Sequence, residues 1–262
     1  MNNQPLQPIR LNKFLAERLG VSRREADDLI ASGKVLVNDK KAVLGARIDK
    51  NDKVCYNNMI VPFDTEFLYL AFNKPVGYVC SRRAQGDAPT IYELIPEEYQ
   101  KLKTVGRLDK DSSGLILLTN DGDFAFSMTH PKFHKEKVYE VELDRPLEPL
   151  HQQMISDYGV MLDDGLSKFT VIRLEDTSFE DPLATTGANG ASEPRNDGRE
   201  RSVSENDVSS SHYTVLLSEG RNRQIRRTFA ALGYRVTKLH RTTFGPYQLS
   251  GLKSGKCVII KP

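Results

Sequence analysis

The sequence predicts an α+β protein in two parts: a small domain of helices and a β-hairpin, then a larger, mainly antiparallel mixed-sheet domain. Three observations predict this. Apolar residues recur at helical spacing near the amino terminus, β-branched and aromatic runs dominate from residue 67 onward, and a long segment between two of those runs has almost no large apolar side chain. At 262 residues the chain is long enough for one large domain or two smaller ones.

The first ten residues are polar, contain two prolines and read as a disordered lead-in. Leu11, Phe14, Leu15 and Leu19 then mark one face of a helix, with Gly20 placed to end it in a left-handed cap. Ser22 with Glu25 three positions on forms a capping box. Ala26, Leu29 and Ile30 supply the apolar face of a second helix, and Gly33 closes it. A short strand is expected at Val35–Asn38, a turn at Asp39 and Lys40, and further short strands within residues 42–57 around the turn Lys50–Asp52. These elements define a first domain over residues 10–57.

The second domain is expected over residues 67–262. Residues 66–81, EFLYLAFNKPVGYVCS, read as a strand, a turn at Lys74–Gly77 and another strand, and KVYEVEL and HYTVLL read as further strands. Few helices interrupt these runs, the best running from Arg226 to Leu232 and ended by Gly233. Residues 176–211 cannot bury enough apolar surface to offset the entropy of ordering. With FTVIRL before them and YTVLL after, they read as a disordered insertion joining two strands of one sheet.

Composition excludes several classes of protein. With 39% hydrophobic and 27% charged residues and no apolar stretch near 18 residues, no membrane-spanning helix is expected. The start lacks the layout of a secretory signal, so a cytoplasmic protein is expected. Cys55, Cys80 and Cys257 are isolated and odd in number, unlike a disulfide framework. His130, His134, His151, His212 and His240 are not spaced as a ligand set, and no HExxH, CxxC, phosphate loop or dinucleotide fingerprint occurs, so neither metal nor cofactor is expected.

The net charge of +2 hides an uneven distribution. The 176–211 segment carries eight acidic residues against Arg195, Arg199 and Arg201, whereas residues 221–241 hold seven Arg or Lys and no acid. Through Asn57 the chain carries 11 basic and seven acidic residues, with Arg10, Lys13, Arg23, Arg24, Lys34, Lys40 and Lys41 around the two helices. Such patches are either solvated faces or the footprint of a polyanionic partner.

The densest concentration of reactive side chains is GRLDKDSSGLILLTNDGDF, residues 106–124. It is a buried apolar strand, Leu115–Leu118, between two polar loops. Arg107, Asp109, Asp111, Asp121 and Asp123 are candidates for chemistry. Each aspartate is also a common turn former, and nothing local separates a nucleophile from a general base.

Two resemblances sharpen this reading. RLNKFLAERLGVSRREADDLIASGKVLVNDK, within residues 10–55, resembles the small RNA-binding (αL-type) fold named after a primary-binding ribosomal protein and also found in tyrosyl-tRNA synthetases. GRLDKDSSGLILLTNDG together with NKPVG (73–77), HPKFHKEKVYEVEL (130–143) and EGRNRQIRRTFAALGYRVTKLHR (219–241) resembles the ribosomal-RNA pseudouridine synthases of the RsuA/RluB type. The motifs follow the family's order; the acidic insertion at 176–211 is the departure and bears on substrate preference.

The resemblance implies cofactor-free isomerisation of a uridine in ribosomal RNA to pseudouridine, by a monomer. It makes Asp109 the catalytic aspartate, Arg226 the basic partner that offsets the cost of sheltering its charge, and Tyr139 the aromatic residue that stacks on the target uracil. Arg107 would reach into the RNA as the base leaves the stack. Lys74, Arg221, Arg223, Arg227, Arg235 and Arg241 become phosphate contacts or structural charges, and Arg10, Lys13, Arg23, Arg24 and Lys34 the RNA-binding surface of the small domain. Two alternatives are a non-catalytic RNA-binding or ribosome-assembly protein, which would be expected to have lost one of Asp109, Tyr139 and Arg226, and an RNA hydrolase, which would want clustered metal-binding carboxylates.

Overall fold

The computed structural model describes residues 8–64, 66–82, 86–174 and 211–262. The 176–211 insertion lies, apart from Ser211, outside the described residues, as do residues 1–7 of the lead-in.

The amino-terminal domain opens with β1 (Ile9–Arg10), α1 (Leu11–Arg18) and α2 (Arg23–Ala31). The Ser22 hydroxyl accepts from Glu25 N at 3.1 Å and the Glu25 carboxylate accepts from Ser22 N at 2.7 Å, so the capping box forms as its sequence predicts. Short strands follow: β2 (Val35–Val37), β3 (Lys40–Lys41), β4 (Arg47–Ile48), β5 (Val54–Tyr56) and β6 (Met59–Ile60). They pair antiparallel in the order β3-β2-β5-β6, with β1 on β4. Leu11, Phe14, Leu15, Ala26, Ile30, Val35, Ile48 and Val54 form the core between helices and sheet. Each large side chain among them contributes about 1.5–3 kcal/mol by leaving water. Ile9 and Arg10 fall in β1, which corrects the expectation that the whole lead-in is without structure; Ile9 pairs with Ile48, a partner distant in sequence.

Beyond residue 66 come β7 (Tyr69–Lys74), β8 (Lys103–Val105), β9 (Ser113–Thr119), α3 (Gly122–Thr129), β10 (Lys137–Leu143), α4 (Pro149–Gln153), β11 (Val160–Leu162), β12 (Gly165–Ser167) and β13 (Thr170–Arg173). They are followed by β14 (His212–Leu217), α5 (Gln224–Ala231), β15 (Val236–Phe244), β16 (Tyr247–Gln248) and β17 (Cys257–Ile259). The expected strand at residues 78–81 does not form. Among the described residues that stretch makes a single bridge, Val79 to Thr90. α3 was not expected: Asp121, read as a turn former or reactive group, is its N-cap and accepts from Asp123 N and Phe124 N.

By its contacts the chain divides into two units. The first holds residues up to 138, 218–220 and 240–262, and therefore the amino-terminal domain together with β7, β8, β9, α3, β16 and β17; the second holds 139–217 and 221–239. In the first unit β7 pairs antiparallel with both β9 and β17, and β8 with β9, whereas β9 pairs parallel with the middle of β15 at Ser113–His240 and Gly114–Arg241. This parallel pair is why the sheet is mixed. Gly114 sits there at φ +106°, and a Cβ on it would lie 2.2 Å from the Arg241 carbonyl oxygen. Ala71, Val105, Leu115, Leu117, Met128 and Phe244 make that half's core.

In the second unit β13 pairs antiparallel with β14 from Thr170–Leu216 to Arg173–Tyr213. The two strands flanking the insertion are therefore neighbours in one sheet, as expected. α5, two residues ahead of its expected start, buries Ile225, Thr228 and Phe229, and Phe229 meets Phe169 at 6.0 Å between ring centroids.

Candidate active site

The GRLDKDSS loop, residues 106–113, runs from β8 to β9 in the first unit, and its backbone is pinned on every side. Ser112 N donates to Asp109 O at 3.1 Å, Gly77 N to Lys110 O at 2.7 Å, and the Cys80 thiol and Leu108 backbone are 3.4–3.5 Å apart. The Lys74 ammonium donates to the carbonyls of Ser112 at 2.6 Å and of Asp109 and Pro75 at 3.0 Å. Burial pushes the Lys74 pKa down, against the pull of Asp109 and Asp111. The loop therefore presents Asp109 half-buried from a fixed backbone, while Arg107 points into solvent with no ion-pair partner among the described residues. A carboxylate so held suits attack on, or proton removal from, a substrate that comes to it.

Lys74 is corrected as an RNA contact. It is 0% exposed with three carbonyl acceptors, so of its two expected roles it fills the structural one.

The second unit holds Tyr139 and Arg226. Tyr139 is 7% exposed and shares the buried face of β10 with Val141 and Leu143. On α5, Arg226 Nη1 donates to Val236 O at 2.8 Å. Arg223 caps the same helix in the left-handed conformation at φ +46° with its side chain exposed. Gln224 donates to Ser167 Oγ at 3.1 Å, and Ser167 and Thr228 share a hydroxyl hydrogen bond of 2.7 Å.

Arg221 and Arg227 are committed to the β11–β12 turn. Arg227 grips the Asp164 carboxylate with two bonds of 2.7 and 3.0 Å, and Arg221 donates to that carboxylate and to the carbonyls of Asp164, Gly165 and Leu166. The Arg227 hydrogen bond, more than any other cause, holds the Asp164 pKa below its ordinary value. In the free protein these two arginines are engaged as structural charges, one of the two roles expected for them. Lys13 likewise pairs with Asp123 at 2.6 Å. Arg10, Arg23, Arg24 and Lys34 are exposed and without ion-pair partners among the described residues.

The positioning groups Cys80, Asp164, Ser167 and Thr228 were missed in the sequence. Their partners are distant along the chain, and the only local signal was the turn chemistry of DDG at 163–165. No group of three or more His, Cys, Asp or Glu among the described residues could hold a metal ion, and no described helix is long and apolar enough to cross a membrane.

This chain, in which a pinned aspartate loop follows a small basic domain, has the parts of an RNA-modifying enzyme. Residues 68–231 match the RNA pseudouridylate synthase family and residues 9–54 match the S4 domain, and the chain belongs to that synthase family. It is 34% identical to the ribosomal small subunit pseudouridine synthase A of Pasteurella multocida over 92% of this chain and 90% of that one. It is 30% identical to the ribosomal large subunit pseudouridine synthase B of Bacillus subtilis over 97% and 92%. A solved structure titled pseudouridylate synthase superimposes over 97% of this chain and 96% of that chain with a TM-score of 0.61 and 29% identity. The chain is thus an RNA pseudouridine synthase, an isomerase.

Proposed function

We propose that this enzyme isomerises one specific uridine of ribosomal RNA, acting as a monomer in the cytoplasm and without a cofactor. The observation that carries the substrate is the likeness, over nine-tenths of both chains, to synthases named for the ribosomal subunits. In this reading Asp109, Tyr139 and Arg226 keep the roles the resemblance gives them: carboxylate that reacts, ring that stacks on the uracil, and compensating cation. The pinned loop supports the first assignment, because fixing the carboxylate beforehand removes an ordering cost from the reaction. Arg107 fills the gap the extruded base leaves. Arg10, Arg23, Arg24 and Lys34, with Arg223, contact phosphates.

The domain boundaries of the reading are 10–57 and 67–262. The substrate is tested by transcribing small- and large-subunit ribosomal RNA without modification, treating each with purified enzyme and mapping pseudouridine at single-nucleotide resolution. One modified position in one RNA supports the proposal; scattered or absent modification of both contradicts it.

A further inference from the structure

The amino-terminal domain is joined to the rest of the first unit by polar contacts as well as by the connecting chain. At the start of β8, the Lys103 ammonium donates to Val21 O at 2.6 Å and Ala16 O at 3.1 Å, carbonyls at the end of α1 and in the turn beyond it. A helix end leaves such carbonyls without donors, and a cation there is favoured. Burial pushes the Lys103 pKa down. The turn at Gly20 rests against Lys101, where a Cβ on Gly20 would lie 3.7 Å from the Lys101 Cβ.

At the other end of the contact, Lys13 Nζ bonds both oxygens of Asp123 in the first turn of α3, at 2.6 and 2.8 Å. One turn along α1, Glu17 packs over Gly122, where a Cβ would meet Glu17 Oε1 at 2.9 Å. Helix α1 therefore touches the strand that leads into the Asp109 loop and the helix that follows the strand leading out of it. The Lys13–Asp123 pair, with Asp123 82% exposed, holds little by itself. The half-buried Lys103 is the stronger fastening.

We propose that this contact makes the amino-terminal domain a fixed ruler: Lys103 and the Lys13–Asp123 pair set the distance between the phosphates held at Arg23, Arg24 and Lys34 and the Asp109 loop. They thereby select the uridine. A domain on a free tether would offer many such distances, a fastened one a single register. The inference rests on the RNA-facing role given to Arg23, Arg24 and Lys34 above.

Two experiments test it with the full chain. A zero-length carbodiimide should join Lys13 to Asp123 in the free wild-type protein, and Lys103→Met should lower the yield of that crosslink severalfold. No Lys13–Asp123 crosslink in the wild type overturns the proposal, and does so without reference to any RNA. In the second experiment, initial rates are compared on the unmodified full-length ribosomal RNA that the enzyme modifies and on a short stem-loop carrying only the target uridine.

Lys103→Met should lose about tenfold on the long RNA and little on the stem-loop. Asp123→Lys, which sets two ammonium groups against each other, should lose a smaller factor on the long RNA and little on the stem-loop, with Lys13→Asp in the same chain restoring most of the loss. This surface pair keeps the test open if Lys103→Met fails to fold. Equal losses on the two RNAs, or additive losses in the charge-swapped pair, overturn the ruler. A crosslinked wild type that modifies neither ribosomal RNA contradicts the proposed substrate instead.

Discussion

Lys74 keeps an ammonium group out of water by giving each proton a carbonyl, two of them belonging to the loop that carries Asp109. Lys74→Met removes a donor from all three, leaving Asp109 O with Ser112 N alone, and the variant should lose about 3 kcal/mol of stability by denaturant titration. Asp109→Asn keeps the shape of the loop and removes the charge. It should bind RNA within a few-fold of wild type and form no pseudouridine; measurable turnover would reject the assignment.

Lys137 offers a pH signature. Burial, then the charge of Arg241, pushes its pKa down to about 8 from an ordinary value of 10.5. Between those two values the unfolded chain binds more protons than the folded one, so this group makes stability rise with pH across that window. Against Lys137→Met, wild type should gain stability from pH 8 to pH 10.5. Parallel curves for the two proteins would contradict the shift.

Among the elements, those with local chemistry were legible in the sequence. α1 and α2 follow from apolar spacing and the Ser22–Glu25 box, and Ser22→Ala should cost about 1 kcal/mol by thermal or denaturant unfolding. α3 was not legible, since Asp121 reads equally as cap, turn former or reactive group until Phe124 and Asp123 donate to it. The stretch at 78–81 has strand composition but only a single bridge among the described residues, and pairing is decided by residues distant in sequence. The β11–β12 hairpin and α5 depend on each other through Asp164. Asp164→Ala should lower stability only slightly and lose its effect in high salt, because the ion pairs it removes are solvent-exposed.

For the whole molecule, charge arithmetic points to basic regions that suit a polyanion but does not single out individual phosphate-binding side chains. Lys13, Arg221 and Arg227 sit in basic clusters and Lys74 in the NKPVG turn, and each is engaged by the protein itself. Asp109, Tyr139 and Arg226 were singled out by resemblance, since periodicity alone makes Tyr139 an ordinary core residue of an alternating strand. Arg23→Glu with Arg24→Glu should weaken RNA binding and flatten its salt dependence, by about 0.7–0.9 in log–log slope for each phosphate that is no longer neutralised. An unchanged slope in filter binding from low to high salt would show that these arginines face solvent only.

The proposed role of Asp109, making pseudouridine at one position of ribosomal RNA, is tested by mapping in cells. Ribosomal RNA is sequenced for pseudouridine from cells lacking the gene and from the same cells carrying either the wild-type or the Asp109→Asn gene at equal protein level. One position should lose its pseudouridine in the deletion, regain it with the wild type and stay uridine with Asp109→Asn. A deletion that changes no position, or a position restored by Asp109→Asn, would rule out that role.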